Sequence, residues 1–392
     1  MQSSDTVALL SARDTANRLG VKLDTLYAYV SRGLLRSVTV PGSRERRYRA
    51  EDVERFRASR GHRRNGGGAP EALVPVIGSS ICLIEDGRLY YRGKDAIRLA
   101  ETATLEEIAD LLWQVDDPAA PVPRPDKPSV EATLPLIEQC QLRLAMLAAD
   151  DLSALDLSHA GVVRTGRAIL SALVGVVGDR GISSKPAHRQ LAASWQLDKA
   201  GADLLRRSLV LLADHELNAS TFVARCVAST AATPYAVVSA ALAALSGRRH
   251  GGASARAEGL LHEIGERGDA MAVMAARLAR DESLPGLGQP LYPDGDPRAR
   301  TLLAAAVAAL PGAREPIESA CTAALRLSGQ HPNVDFALAA VTTALGLPPG
   351  AALGLFVVGR TVGWIAHAIE QYESSVLIRP RARYTGPRPA EV

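Results

Sequence analysis

Aromatic side chains are scarce in this chain, with four Phe, three Trp and nine Tyr among 392 residues. Ala and Leu dominate instead, which argues against a sheet-rich fold and for close-packed helices. Cysteine is equally sparse. Cys82, Cys140, Cys226 and Cys321 stand far apart with no CxxC pair. That spacing excludes a clustered zinc site or a disulfide framework and fits reduced thiols in a cytoplasm. The N-terminus, Met1-Gln2-Ser3-Ser4-Asp5, lacks the basic-then-apolar pattern of a signal peptide. No P-loop, GxGxxG fingerprint or internal repeat occurs. Charge is missing from two stretches of more than twenty residues, Cys226 to Gly247 and Phe336 to Gly359. Their length alone suits a membrane span. Both are built mostly of Ala, Ser, Thr and Gly and contain proline (Pro234; Pro348-Pro349). They read as helices buried on all sides in a large soluble core, with no membrane partner.

The length suggests two or three domains. The net charge of +3 is unevenly spread: residues 1–68 hold 14 Lys+Arg against 7 Asp+Glu, so the rest is mildly acidic. A basic head on such a body points to an anionic partner for the head alone. Ser11-Ala12-Arg13-Asp14 suits a helix start, with Ser11 as N-cap and a carboxylate in the first turn. Gly20 ends that helix, and a second runs from about Asp24 to Gly33 with Leu26, Tyr27 and Val30 inward. Val38-Thr39-Val40 and Arg47-Tyr48-Arg49 alternate like strands around a Pro41-Gly42-Ser43 turn, a basic wing. A closing helix begins at Ala50. Residues 1–60 thus resemble the MerR/excisionase type of winged helix-turn-helix. The resemblance implies duplex DNA as partner, with Thr25, Tyr27, Arg44, Arg46 and Arg47 placed to touch phosphates or bases. Residues 61–74, with three consecutive glycines, read as a flexible linker.

The remainder, residues 75–392, opens with a β-hairpin: Ser79–Ile84, an Asp86-Gly87 turn, then Arg88–Gly93. A capped helix starts at Thr104-Leu105-Glu106-Glu107, and the chain then reads as mainly α almost to its end. Along it lie Leu89-Tyr90-Tyr91-Arg92-Gly93, Asp214-His215-Glu216-Leu217-Asn218, His250-Gly251-Gly252-Ala253, Asp296-Pro297-Arg298, Asn333-Val334-Asp335, Arg360-Thr361-Val362-Gly363-Trp364 and Arg379-Pro380-Arg381. In that order these segments resemble the successive motifs of citrate synthases. The resemblance implies an all-α homodimer with a large domain and a small one, here at about 255–345, that closes over substrate.

It also implies residue roles. Asp335 matches the base that takes a methyl proton from an acetyl thioester, and His250 matches the donor that holds the enol oxygen. An ordinary N-cap is the alternative for Asp335. Arg298, Arg360 and Arg379 match three guanidiniums that grip a dicarboxylate, Arg379 reaching across the dimer. His215 matches a histidine on the same 2-oxo acid. Gln289 departs from the pattern: the family has histidine there, polarising the ketone. An amide donates a hydrogen bond but is no proton reservoir at neutral pH. His331 is near enough in sequence to Asp335 to be a candidate substitute, and the loop Leu284–Pro293 is where CoA contacts are expected. His159, His188, His262 and His367 carry no motif and read as structural. The expected reaction is acetyl-CoA or another short acyl-CoA with oxaloacetate, weakened by Gln289, with acyl-CoA as substrate and neither cofactor nor metal. A 2-methylcitrate synthase is one alternative. The other is a DNA-binding regulator whose impaired body senses oxaloacetate or acyl-CoA.

Overall fold

The computed structural model describes residues 9–19, 21, 23–31, 37–39, 46–50, 52–53, 77–116, 134–179, 185–382 and 384–386. The chain divides into two compact units, residues 1–76 and 77–392. The linker expected at 61–74, the wing turn and Arg44 lie outside the described residues.

In the first unit, β1 (Leu9–Ser11) leads directly into α1 (Ala12–Leu19), followed by α2 (Leu23–Ser31), β2 (Val38–Thr39) and β3 (Arg46–Arg49). Ser11 caps α1 as expected, its Oγ accepting from the Asp14 N–H at 3.1 Å. β3 is the middle strand, antiparallel to both β1 and β2. Ala16, Leu19, Leu26, Tyr48 and Val53 form a small core. Tyr27 corrects the sequence reading. The helical period turns Leu26 inward, so its neighbour Tyr27 faces outward and is 48% exposed.

The second unit opens on an antiparallel sheet, β4 (Cys82–Glu85), β5 (Arg88–Tyr91) and β6 (Lys94–Asp95). Its first turn places Asp86 and Gly87 at positive φ, the Asp-Gly signature of a tight hairpin. Fourteen α-helices follow among the described residues. They are α3 (Ala96–Thr102), α4 (Leu105–Trp113), α5 (Leu136–Asp150), α6 (His159–Val177), α7 (Ala187–Ser194), α8 (Lys199–Leu212), α9 (Ala219–Ala228), α10 (Pro234–Leu245), α11 (Gly252–Arg267), α12 (Ala270–Ala279), α13 (Pro297–Ala309), α14 (Arg314–Ser328), α15 (Val334–Ala344) and α16 (Ala351–Ser374). Thr104 and Glu107 make the expected capping box on α4.

The two charge-free stretches are not single spans. The first splits into α9 and α10 and the second into α15 and α16, each broken where its proline forbids a continuous helix. Among the described residues two helices, α6 and α16, are long and apolar enough to cross a membrane, but both are mostly buried within the unit. α16 is the core helix, packed on α4, α6, α8, α9, α10 and α15. Residues 354–369 are all buried, and each large apolar side chain there contributes roughly 1.5–3 kcal/mol. Arg360 lies in the middle of this run, where an unneeded charge would be costly.

Candidate active site

Three side chains one turn apart on α16 set the site's floor: Phe356, Arg360 and Trp364. The His250 ring meets Phe356 edge-on, with centroids 5.7 Å apart, and the Arg360 Cζ lies 4.9 Å from the same ring. Trp364 Nε1 donates to Ser220 Oγ at 3.2 Å, and Ser220 Oγ is 2.8 Å from His250 Nε2. Asn218 Oδ1, the cap of α9, lies 3.0 Å from the same hydroxyl. Ser220 has one proton to give. Given to Asn218 Oδ1, it leaves Ser220 to accept from His250 Nε2–H; given to His250 Nε2, it leaves the ring N–H on Nδ1. Burial, with Arg360 nearby, pushes the His250 imidazole down to about 4, so the ring is neutral at physiological pH.

His215 follows the end of α8 in a tight turn and is buried. Its Nε2 lies 3.1 Å from Tyr292 Oη. Burial first, then Arg298 and Arg360, hold its imidazole well below the ordinary value. Both arginines are themselves buried. Asp296 caps α13 and takes Arg298 in a two-pronged pair, at 3.0 and 2.7 Å, while its Oδ2 also accepts the Val334 N–H. Arg360 donates Nε to the Leu212 carbonyl at 2.8 Å, but its Nη1 is buried with no hydrogen-bond partner among the described residues. An anionic oxygen is the group that would satisfy it.

Asp335 sits in the first turn of α15. It is not the N-cap: Asn333 is, its Oδ1 accepting from Asp335 N–H at 3.0 Å. That frees the Asp335 carboxylate, whose Oδ1 accepts the Ser254 hydroxyl from α11 at 2.6 Å. Burial raises this carboxyl above the ordinary range, although Ser254, Arg298 and Arg360 pull the other way. The same two arginines thus act on His215 and Asp335, and Arg360 on His250 also. One field joins a carboxylate, two neutral imidazoles and two guanidiniums.

Gln289 is half-buried in the preceding loop, its Oε1 accepting from Leu291 N–H at 3.4 Å. The loop is pinned to the entry of α15. Gly288 N–H donates to the His331 carbonyl, Asn333 N–H to the Gly286 carbonyl, and Asn333 Nδ2 to the Gly288 carbonyl. Gly286 is left-handed, and a Cβ there would press on the Phe336 backbone, so only glycine fits. His331 is exposed and lines a separate groove with Arg300, Leu303, Glu318 and Cys321. Arg379 is exposed beyond α16, and no hydrogen bond or ion pair brings it to the cluster among the described residues. Sequence reading missed Tyr292, Ser220 and Ser254. Ser254 lies one turn beyond His250, the one available clue.

The depressed His250 value has a stability consequence. An unfolded chain protonates this ring near pH 6.5 (~6.5), the folded chain only near 4. Between those values the unfolded state binds the extra proton. The contribution is therefore fully present above about pH 6.5 and is lost as pH falls toward 4. Urea midpoints at pH 5 and pH 7 should differ less in His250→Gln than in the parent. Equal pH dependence would remove His250 from the account.

Residues 175–381 match the family described as "Citrate synthase, C-terminal domain", and residues 9–61 match "Helix-turn-helix domain". The chain is 40% identical over 193 residues to "Citrate synthase 2" of Bacillus subtilis, which covers 47% of this chain and 51% of that protein, about half its length. It is 30% identical over 360 residues to "Citrate synthase" of Mycolicibacterium smegmatis, covering 81% of this chain and 94% of the relative. A "2-methylcitrate synthase" of Shewanella oneidensis is 29% identical, covering 83% and 95%. Among solved structures, citrate synthase from Pyrobaculum aerophilum superposes with a TM-score of 0.67 at 26% identity, covering 81% of this chain and 92% of that one. The enzyme from Thermoplasma acidophilum, in complex with carboxymethyl coenzyme A and oxaloacetate, superposes at 0.66 and 23% identity, covering 82% and 96%.

Proposed function

The chain belongs to the citrate synthase family, and from that premise we propose that it condenses a short acyl-CoA, acetyl-CoA first, with oxaloacetate. One observation carries the reading. Asp335, freed from capping duty and held at Oδ1 by Ser254, shares the field of buried Arg360 with neutral His250. The Asp335 carboxylate takes a proton from the acyl α-carbon. The His250 N–H holds the enolate oxygen that results. The α-carbon then bonds to the ketone carbon of oxaloacetate, whose carboxylates Arg298 and Arg360 grip and whose oxygen faces His215. The new alkoxide takes a proton from solvent, and Asp335 gives up to solvent the one it took. Water then cleaves the thioester, releasing CoASH. Gln289 gives the ketone a hydrogen bond but no proton, so turnover is slow. Arg379 is assigned to the second subunit's site in a homodimer, and the protein to the cytoplasm.

Purified full-length protein with oxaloacetate and acetyl-CoA will release free thiol, which a disulfide dye reads directly. The same assay with propionyl-CoA separates the 2-methylcitrate variant, since a named relative carries out that synthesis. No thiol from either acyl-CoA removes the condensation.

The head supports a second role beside the first. Tyr27 on α2 and Arg46 on β3 are exposed in a unit matching a helix-turn-helix family. Thr25 is half-buried on the same helix, and Arg47 half-buried on β3. Duplex DNA is the proposed partner, with oxaloacetate or acyl-CoA as the signal the body reads. Binding of the full-length protein to duplex DNA should weaken steeply with salt, about one counterion per neutralised phosphate. No binding at low salt refutes it.

A further inference from the structure

Behind the His215 turn runs a buried polar chain to which the condensation assigns no step. Asp214 is fully buried, and its Oδ2 accepts the Glu216 N–H at 3.1 Å. Glu216 lies at φ 51°, a left-handed conformation that L side chains adopt only at a cost. This turn aims His215 toward Tyr292 and the arginines. The other oxygen of Asp214, Oδ1, is 3.3 Å from His367 Nε2 on α16, outside hydrogen-bond geometry, and both atoms are buried with no hydrogen-bond partner among the described residues. His367 Nδ1 is 3.2 Å from Arg225 Nη1. A guanidinium can only donate, so Nδ1 accepts and the neutral ring carries its proton on Nε2, facing Asp214. Arg225 is fixed in turn by Gln371 Oε1 at 3.1 Å and by the Glu370 carboxylate. Burial opposes the Glu370 charge, but hydrogen bonds from Ser80 and Arg225 prevail and hold its carboxyl at about 2. Gly363, one turn before His367, has no Cβ, and one built there would collide with the Ala213 carbonyl and the Asp214 carboxylate.

We infer that His367 is a positioning residue: its Nε2–H, oriented by Arg225, faces the buried Asp214 carboxylate at 3.3 Å and steadies it electrostatically, and Asp214 accepts the N–H of the left-handed Glu216 turn that presents His215 to substrate. The inference rests on the reading of His215 as an oxaloacetate contact. The chain Glu370–Arg225–His367–Asp214 joins α9, α16 and the end of α8, so the turn's strain is balanced by three elements rather than by its own residues.

Two polar variants separate the roles. His367→Gln keeps an amide donor near the Nε2 position, whereas His367→Asn reaches only the Nδ1 position and loses Asp214. The fold should tolerate both. In His367→Asn the KM for oxaloacetate should rise about tenfold with kcat within about threefold, as for other outer partners of a site residue. Amide exchange across residues 213–218 should quicken about tenfold while α16 stays protected. His367→Gln should keep both near the parent values. Adding Glu216→Gly to His367→Asn should recover part of the KM, because glycine holds φ > 0 without help. Unchanged exchange and KM in His367→Asn, or an equal loss in His367→Gln, overturns the inference. Exchange needs no substrate. If the parent protein releases no CoASH, the condensation fails, and the exchange measurement still decides the role of His367.

Discussion

Asp335→Asn will lower CoASH release by about 10³-fold, within the range seen when a positioned base is lost. Oxaloacetate affinity, measured by calorimetry, will stay within about threefold, because the two-pronged Asp296–Arg298 pair is untouched. Asparagine is the same shape. Its Oδ1 still accepts the Ser254 hydroxyl, and the α15 cap survives because Asn333 supplies it. What disappears is the atom that takes the proton. Stability will move the opposite way. The folded state raises the Asp335 carboxyl above its unfolded value, so at neutral pH the ionised group is less welcome folded than unfolded. A neutral amide relieves that cost, and the variant will melt higher than the parent, the trade expected where a site is strained for function. A variant that retains the parent's rate would place the base elsewhere and end the assignment of Asp335.

How far this was legible in the sequence depends on the range of the forces involved. The Ser11 and Thr104 caps, the Asp86-Gly87 hairpin and the helical body follow from neighbours within four residues. Strand β1 was not foreseen, because Leu9-Leu10-Ser11 is too short to show a period and exists only through pairing with β3. Apolarity alone turns both Leu26 and Tyr27 inward, whereas the turn of α2 buries Leu26 and leaves its neighbour Tyr27 exposed. The residues of the site could be named only by resemblance. Spacing could not show that Arg298 is neutralised two residues away by Asp296 while Arg360 keeps an unpaired Nη1. His367 is the sharpest case. Its neighbours Arg225 and Asp214 are well over a hundred residues distant, so no local motif marks it, and only packing joins them.

Gln289→His will raise kcat by about 10²-fold, the lower part of the range for a general acid. The substitution changes chemistry and leaves geometry alone. Backbone hydrogen bonds to His331 and Asn333 hold the loop, and among the described residues the Gln289 side chain itself makes only one long bond, from Leu291 N–H. An imidazole there can give its N–H to the ketone oxygen and release a proton as that oxygen becomes an alkoxide. An amide can only do the first. His331 does not stand in for it, since its side chain packs against Gly295 and lines the groove beside Arg300 and Cys321. His331→Ala will therefore leave the parent's rate within about twofold, a surface-type substitution by the usual measure. Stopped-flow thiol release at saturating oxaloacetate distinguishes the outcomes. A rise confined to Gln289→His assigns the slow parent rate to the missing proton donor. No rise, with oxaloacetate still bound, means that the glutamine suits a body that binds its ligand without consuming it, and the weight then shifts to the DNA-binding head.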